Sequence, residues 1–260
     1  MYKKNYASAK IRGKQRVCRY LSATGALKRL VPHTVSLTEP NLRSMAGRYK
    51  SLYIKPDVGS MGIGVHRMTR LIGGYELLST RKRSQLRRRF GTLSSLYRHM
   101  KAQRQGRMIV QQAVWLDRVN GRPYDLRAMV QRKPGGSWTC TGIMAKVGAP
   151  YKIVTNYYQG GKIVTLQNLL KQKRLSSSAR RSRTYYLTAK ALQVSRVLSR
   201  MRSGMHEMGI DFAYDRNGRL WILEVNSNHP QYHPLKKLDR RAYDRMAEYA
   251  RSYGRYDNGR

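Results

Sequence analysis

The chain has 260 residues, enough for one large domain or two lobes, and its 40% apolar content is enough for a real core. Fifty-three Lys and Arg against 13 Asp and Glu give a formal net charge of +40, which predicts salt-sensitive attraction to polyanions and says nothing about fold. Two distant cysteines, Cys18 and Cys140, make neither a zinc spacing nor a disulfide framework, "MYKKNYASAKIRGK" has no apolar signal core, and no run reaches the roughly 20 apolar residues of a spanning helix, so a cytoplasmic, reducing setting is expected.

In chain order, residues 1–50 are basic and broken by Pro32 and Pro40, with "TEPNLRSMAGRY" reading as a cap and a short helix. "SLYIK" and "GVHRMTRL" are short β-rich runs around a glycine-rich loop, and "YELLST" reads as a further strand. Residues 81–107 carry ten Lys or Arg and no acid. Leu93, Leu96, Tyr97 and Met100 there have helical spacing, and the arginine run at 81–89 is expected on a solvated helix face. "RMIVQQAVWL" is a buried-strand candidate, and "YDLRAMVQRK" and "SWTCTGIMAKVG" are strands joined by a turn at "PGG". "NLLKQKRLSSSARRSR" is a polar connection into a long amphipathic helix that ends near Gly204 or Gly209. A basic helix, "LDRRAYDRMAEYARSYG", closes the chain. The alternation is α+β, with antiparallel hairpins rather than regular βαβ units. Trp115, Trp138 and Trp221 sit among apolar neighbours and are expected in the core.

Two stretches carry chemistry. The first, "IKPDVGSMGIGV", spans Ile54 to Val65. Its glycines let backbone N–H groups approach an anion, and Lys55 adds a point charge. It is neither a P-loop nor a Rossmann turn, because no Gly-Lys-Ser/Thr follows and the spacing is GxxGxG. A glycine hairpin over a nucleotide and a merely flexible hairpin fit it equally. The second, "GIDFAYDRNGRLWILEVNSN", holds three of the 13 acids. A two-residue turn at Asn217–Gly218 pairs Tyr214 with Trp221, Phe212 with Leu223 and Asp211 with Glu224. Ile210, Phe212, Tyr214, Trp221, Leu223 and Val225 then form a core face, with Asp211, Glu224 and Asn226 opposite. Directly opposed carboxylates repel, and either a divalent cation such as Mg²⁺ or arginine would offset this.

The combination of strand, Lys55–Pro56, glycine loop and strand with a later Asp…Glu-x-Asn hairpin resembles the ATP-grasp superfamily, and within it the YheC/YheD-type endospore coat-associated proteins. The matching segments run through most of residues 30–235. The resemblance implies two α+β lobes with ATP between them: a basic N-terminal segment at 1–45, a small lobe at 46–114, a large lobe at 115–235 and a basic C-terminal helix at 236–260. It implies that Lys55 and the loop residues Gly59, Ser60, Met61, Gly62 and Gly64 hold nucleotide phosphates. Gln112, Ala113 and Val114 would form the inter-lobe linker against adenine, Arg127 and Lys146 would act on phosphate in catalysis, and Asp211, Glu224 and Asn226 would bind Mg²⁺. The implied reaction is carboxylate–amine ligation through an acyl phosphate, with unknown acid and amine substrates, and the implied location is the spore coat. Family linkers often carry Glu where this chain reads Gln111–Gln112, with Asp117 as a substitute ribose contact, and only about 50 residues precede Lys55. Asn156 is a further candidate to line the site, and His229 and His233 are expected as ordinary loop histidines.

Two other readings follow from the charge: a non-catalytic basic spore-layer protein that binds an anionic polymer or coat proteins, and a non-specific nucleic-acid binder whose affinity falls steeply with salt.

Overall fold

The structure, a computed structural model, describes residues 4–59, 62–81, 84–103, 106–150, 152–155 and 160–256. It is an α+β fold built on two antiparallel sheets. The first contains β1 (Thr34–Ser36), β2 (Ser51–Pro56), β3 (His66–Leu71), β4 (Gly74–Thr80), β5 (Gln85–Phe90) and β6 (Met108–Gln112), in the order β1-β6-β2-β3-β4-β5. Its period-2 alternation points Leu52, Ile54 and Val110 at α3 (Glu39–Arg48) and α4 (Leu93–Gln103), which contribute Leu42, Met45, Leu96 and Met100 to one buried cluster. Tyr53, Lys55 and Gln111 fall on the opposite face. Thr38 caps α3 by accepting the Asn41 N–H at 3.3 Å, as "TEPN" predicts.

Arg87, Arg88 and Arg89 of the arginine run belong to β5, not to a helix face, and residues 82 and 83 lie outside the described residues. Arg87, Arg88 and Arg89 are exposed on this edge strand and pair in register with Leu78, Leu77 and Glu76. Glu76 accepts an ion pair from Arg87 at 3.3 Å. Charges on an edge strand discourage further strand addition, which is why a strand is tolerated in so polar a sequence.

The second sheet runs β10-β9-β8-β11-β12, from β8 (Arg122–Gln131), β9 (Thr139–Val147), β10 (Lys162–Thr165), β11 (Glu207–Tyr214) and β12 (Leu220–Asn226), with the short β7 (Arg118–Val119) on β8. One face packs Tyr124, Leu126, Ala128, Val130, Ile210 and Phe212 against α5 (Leu166–Gln172) and α6 (Ser177–Met201). Ser176 caps α6, accepting the Ala179 N–H at 3.2 Å, so this helix begins inside the stretch expected as a polar connection. The other face is covered at one end by α7 (Leu235–Leu238) and α8 (Arg240–Ser252), where Met246 lies against Gly142. It is open at the other end.

The β11–β12 hairpin departs from the expected two-residue turn. Asp215 bonds to Arg219 across a three-residue loop, and its Oδ1 accepts the N–H of Asn217 at 2.9 Å and of Arg219 at 3.0 Å. Gly218 supplies the left-handed residue with φ of 76°. This shifts the pairing by one, so Tyr214 faces Leu220 and Phe212 faces Ile222. A bulge then restores phase, and Asp211 faces Glu224 as expected. The core-facing residues of β12 are therefore Leu220, Ile222 and Val225, and Trp221 lies on the other side.

The N-terminal residues serve both sheets. Helices α1 (Lys14–Ser22) and α2 (Gly25–Lys28) place Val17, Leu21 and Leu27 in the second sheet's core, whereas β1 pairs with β6. Neither helix stands out in the sequence: α2 has four residues, and α1 carries three Lys or Arg among nine. Trp138 and Trp221 are buried, but Trp115 is 49% exposed, with Arg67 and Arg216 over its ring. Among the described residues, no helix is long and apolar enough to cross a membrane.

Candidate functional site

Lys55 ends β2 beneath the glycine hairpin. Its ammonium donates to Gln111 Oε1 at 2.8 Å, and Gln111 Nε2 in turn donates to Thr34 at 2.8 Å. Gln111 thus positions Lys55. Burial lowers the Lys55 pKa, and Glu224 opposes that shift. In the hairpin, Gly62 and Gly64 have φ of 71° and 67°, and a Cβ on Gly64 would stand 3.2 Å from Pro56 Cγ. Thr80 fixes the far side, its hydroxyl lying 2.8 Å from the Gly62 carbonyl. Ser60 and Met61 lie outside the described residues, as does Asn156. Gln112 closes β6 with its N–H on His33, Ala113 donates to Ser51, and the chain then crosses through Val114 to the Leu116–Asp215 bridge of the second sheet.

The other candidates share the open face of the second sheet. Register places Asp125 opposite Lys146, and Arg127 and Glu224 on either side of Asp211. Arg127 grips Asp211 with two bonds, Nε at 2.8 Å and Nη2 at 2.7 Å. Lys146 lies 3.2 Å from Asp211 Oδ1 and 2.8 Å from Asp125. Burial alone would raise the Asp211 pKa, but the Arg127 guanidinium and the Lys146 ammonium outweigh it and hold it at about 2. Burial wins at Asp125, whose pKa is raised despite Lys146. Asp125 pairs with Lys146 and accepts from the Thr155 hydroxyl.

The sheets meet across this face. Glu224 and Asp211 both act electrostatically on Lys55, and Tyr53 reaches from β2 to donate to the Ile153 carbonyl at 2.8 Å. The Ile153 N–H returns to Gln85 of β5 at 2.9 Å. Asp117 is occupied elsewhere, accepting from Lys173 at 2.8 Å and Tyr124 at 2.7 Å.

Asp211, Glu224 and Asn226 are the oxygen donors that would meet Mg²⁺. Asp211 and Glu224 are directly opposed, and Asn226 follows on the same face at the Gly209 pair. These are hard oxygen ligands of the kind Mg²⁺ takes together with phosphate. Each of the three residues is engaged by a protein group: Asp211 by Arg127 and Lys146, Glu224 through Oε1 by Lys14 at 3.4 Å, and Asn226, whose Oδ1 accepts the Asn228 N–H at 3.0 Å. The donor type suits the ion and the three positions share one face, although the described residues hold no cluster of three or more His, Cys, Asp or Glu.

Sequence reasoning missed the part played by the segment before α1. Asp57, in the loop itself, caps α1: its Oδ1 accepts the Gln15 N–H at 2.8 Å and its carbonyl accepts the Lys14 N–H at 2.9 Å. Gly13 makes that turn with φ of 98°, and a Cβ there would stand 2.8 Å from Asp57 Oδ2. Gly13→Ala is expected to destabilise the protein by about 1–3 kcal/mol, read as a lower denaturation midpoint at unchanged slope. The signal was a Gly before "KQRVCRYLS" together with an Asp in the glycine loop, residues far apart in sequence.

A large cavity of about 410 Å³ lies elsewhere, on the helix side of the second sheet between Arg183, Tyr186, Tyr214 and Arg219. Neither Lys55, Arg127, Lys146, Asp211, Glu224 nor Asn226 lines it.

The family described as YheC/D like ATP-grasp matches residues 3–255. The endospore coat-associated protein YheD of Bacillus subtilis (strain 168) is 31% identical over 220 residues, covering 79% of this chain and 46% of that protein. The fold is similar to the ATP-grasp ligase PsnB complexed with a phosphomimetic variant of its minimal precursor, Mg and ADP (TM-score 0.52, 12% identity, 92% of this chain and 58% of that one). It is also similar to N5-carboxyaminoimidazole ribonucleotide synthetase from Thermotoga maritima (TM-score 0.50, 13% identity, 96% and 51%). The chain spans about half the length of the relatives it matches.

Proposed function

The chain belongs to the YheC/D like ATP-grasp family, and on that premise we propose that it binds ATP with Mg²⁺ between its two sheets and uses it to join a carboxylate to an amine, in association with the endospore coat. What supports this is that the sheets touch at the site: Lys14 joins the Gly59 carbonyl of the glycine hairpin at 2.9 Å to Glu224 at 3.4 Å, and Glu224 lies opposite Asp211. Lys55, Arg127 and Lys146 would balance phosphate charge, the loop N–H groups would close over it, and the backbone of Gln112–Val114 would meet adenine. Asp211, Glu224 and Asn226 would hold Mg²⁺, which supplies charge neutralisation for phosphoryl transfer. The carboxylate takes the γ-phosphoryl group, giving an acyl phosphate and ADP, and the amine then displaces phosphate. Such chemistry asks the protein for positioning and countercharge, with no side-chain nucleophile. Calorimetric titration of the folded protein with MgATP is expected to show saturable binding, and ADP release is expected when the right acid and amine are supplied. Absence of binding would sink the reading.

A second reading, a scaffold for an anionic polymer, is favoured by the exposed Arg87–Arg89 edge. MgATP binding without ADP release across a panel of acids and amines, together with salt-sensitive retention of the polymer, would support it.

A further inference from the structure

The cavity of about 410 Å³ on the helix side of the second sheet is lined by two arginines, Arg183 and Arg219, and by no Asp or Glu among the described residues. Arg183 lies on α6, with its guanidinium 4.5 Å from the centroid of the Tyr214 ring. Its Nη1 is buried and has no hydrogen-bond partner among the described residues. An exposed arginine is satisfied by water, but a buried and unmatched donor on a charged group carries a cost. Arg219 comes from the loop end of the β11–β12 hairpin and is held in place from several sides. Its backbone N–H donates to Asp215 Oδ1 at 3.0 Å, its Nη2 donates to the Arg29 carbonyl, and its guanidinium lies 4.0 Å from the Trp221 ring centroid. Ser182 and the 42% exposed Tyr186 add hydroxyl-bearing side chains to the lining, and Leu220 an apolar one. Guanidinium groups bind carboxylate and phosphate oxygens with paired, charge-assisted bonds, and holding the side chains in place beforehand lowers the entropy cost. The volume lies within the range of small-ligand sites. Tyr214 and Asp211 point to opposite faces of β11, so the sheet separates this cavity from the carboxylate hairpin's open face.

We propose that this cavity is a second binding site, for an oxyanion: the carboxylate or phosphate group of an acidic ligand. Arg183 and Arg219 are its cationic contacts, and Tyr186 and Tyr214 lie against the body that carries the anion. The site is separate from the one proposed for MgATP and does not rest on that reading. It gives two of the 53 cations a defined partner in place of general attraction to polyanions.

Inorganic phosphate and citrate are the probes, each titrated by calorimetry at constant ionic strength, with thermal denaturation of every variant to confirm folding. The wild type is expected to bind at least one of them saturably, and the preference between them identifies the class of acid. Arg183→Met keeps an unbranched side chain over Tyr214 while removing the charge. It and Arg219→Met are each expected to weaken that binding by about tenfold or more. Two controls are expected to match the wild type: Arg196→Ala, which removes an exposed charge farther along α6, and Lys55→Ala, which removes a charge at the nucleotide site. No saturable binding of either probe, or wild-type affinity in a folded Arg183→Met, would overturn the proposal. So would an equal loss in Arg196→Ala, which marks general charge, or a loss in Lys55→Ala that Arg183→Met does not share, which puts the anion in the nucleotide site. Should Arg183→Met fail to fold, Arg219→Met decides by the same criterion.

Discussion

Replacing Glu207 with alanine is expected to destabilise the protein by about 3–5 kcal/mol, the largest stability effect of any single change described here. Glu207 opens β11 and is fully buried. Arg255 Nη1, itself only 1% exposed, donates to Oε2 at 2.5 Å, Lys4 lies 3.1 Å from Oε1, and the Tyr6 and Tyr253 hydroxyls complete its shell. Arg255 also donates to the Pro230 carbonyl at 3.1 Å and lies over the Tyr232 ring. Removing the carboxylate strands the guanidinium in a place it was desolvated to reach, and this uncompensated charge dominates the cost. The pair itself adds little beyond what a well-packed apolar pair would. Glu207→Ala combined with Arg255→Met is therefore expected to lose less than Glu207→Ala alone. Chemical denaturation of the single and double variants checks this, and additive losses would rule out the coupling.

Asp211→Asn is expected to weaken MgATP by at least about a hundredfold and to flatten the acid limb of the stability profile. The two effects share one cause. The wild-type carboxylate sits at about 2 when folded, below its ordinary 3.8, so its ionised form is favoured by folding. That contribution, roughly 2 kcal/mol, is fully present above the unfolded value and is lost as pH falls from about 4 towards 2. Asparagine cannot titrate, so the variant loses this pH-dependent increment and shows a shallower decline over the same range. It also leaves Arg127 and Lys146 facing an amide, which lowers stability at neutral pH. Denaturation midpoints measured from pH 7 down to pH 2, with calorimetry at neutral pH, separate the two effects. A variant that keeps wild-type MgATP affinity would exclude Asp211 from the site.

Much of this was legible in the sequence wherever a local rule has a strong physical cause. The Thr38 cap satisfies a helix-end N–H, the helical spacing of Leu93, Leu96 and Met100 reports burial of one face, and the structure follows both. The opposition of Asp211 and Glu224 across the hairpin, read from the acids flanking the turn, is present in the register of β11 and β12. What stayed hidden depended on distant partners. Helix α1 is only nine residues long, and its first turn is completed by Asp57 from another element. Strand β5 reads as a charged helix because four of its six positions are Gln or Arg, and only its pairing with β4 makes it a strand. The bidentate grip of Arg127 on Asp211 joins residues 84 positions apart, and nothing near either residue signals it.

The bulge in β12 makes the carboxylate pair tolerant of how the chain turns the corner. A two-residue turn with a straight strand, or a three-residue loop with one bulged residue, both deliver Glu224 opposite Asp211. They differ in whether Trp221 or Ile222 meets the helices. The site is degenerate with respect to that choice, and the core decides it. A bulky indole with a polar N–H goes outward, where it donates to Asp215 at 2.8 Å and stacks under Arg219, while a compact aliphatic side chain goes inward. Hydrophobic packing therefore selects the loop, and the metal-binding geometry proposed for this hairpin carries no information about which turn was used to reach it.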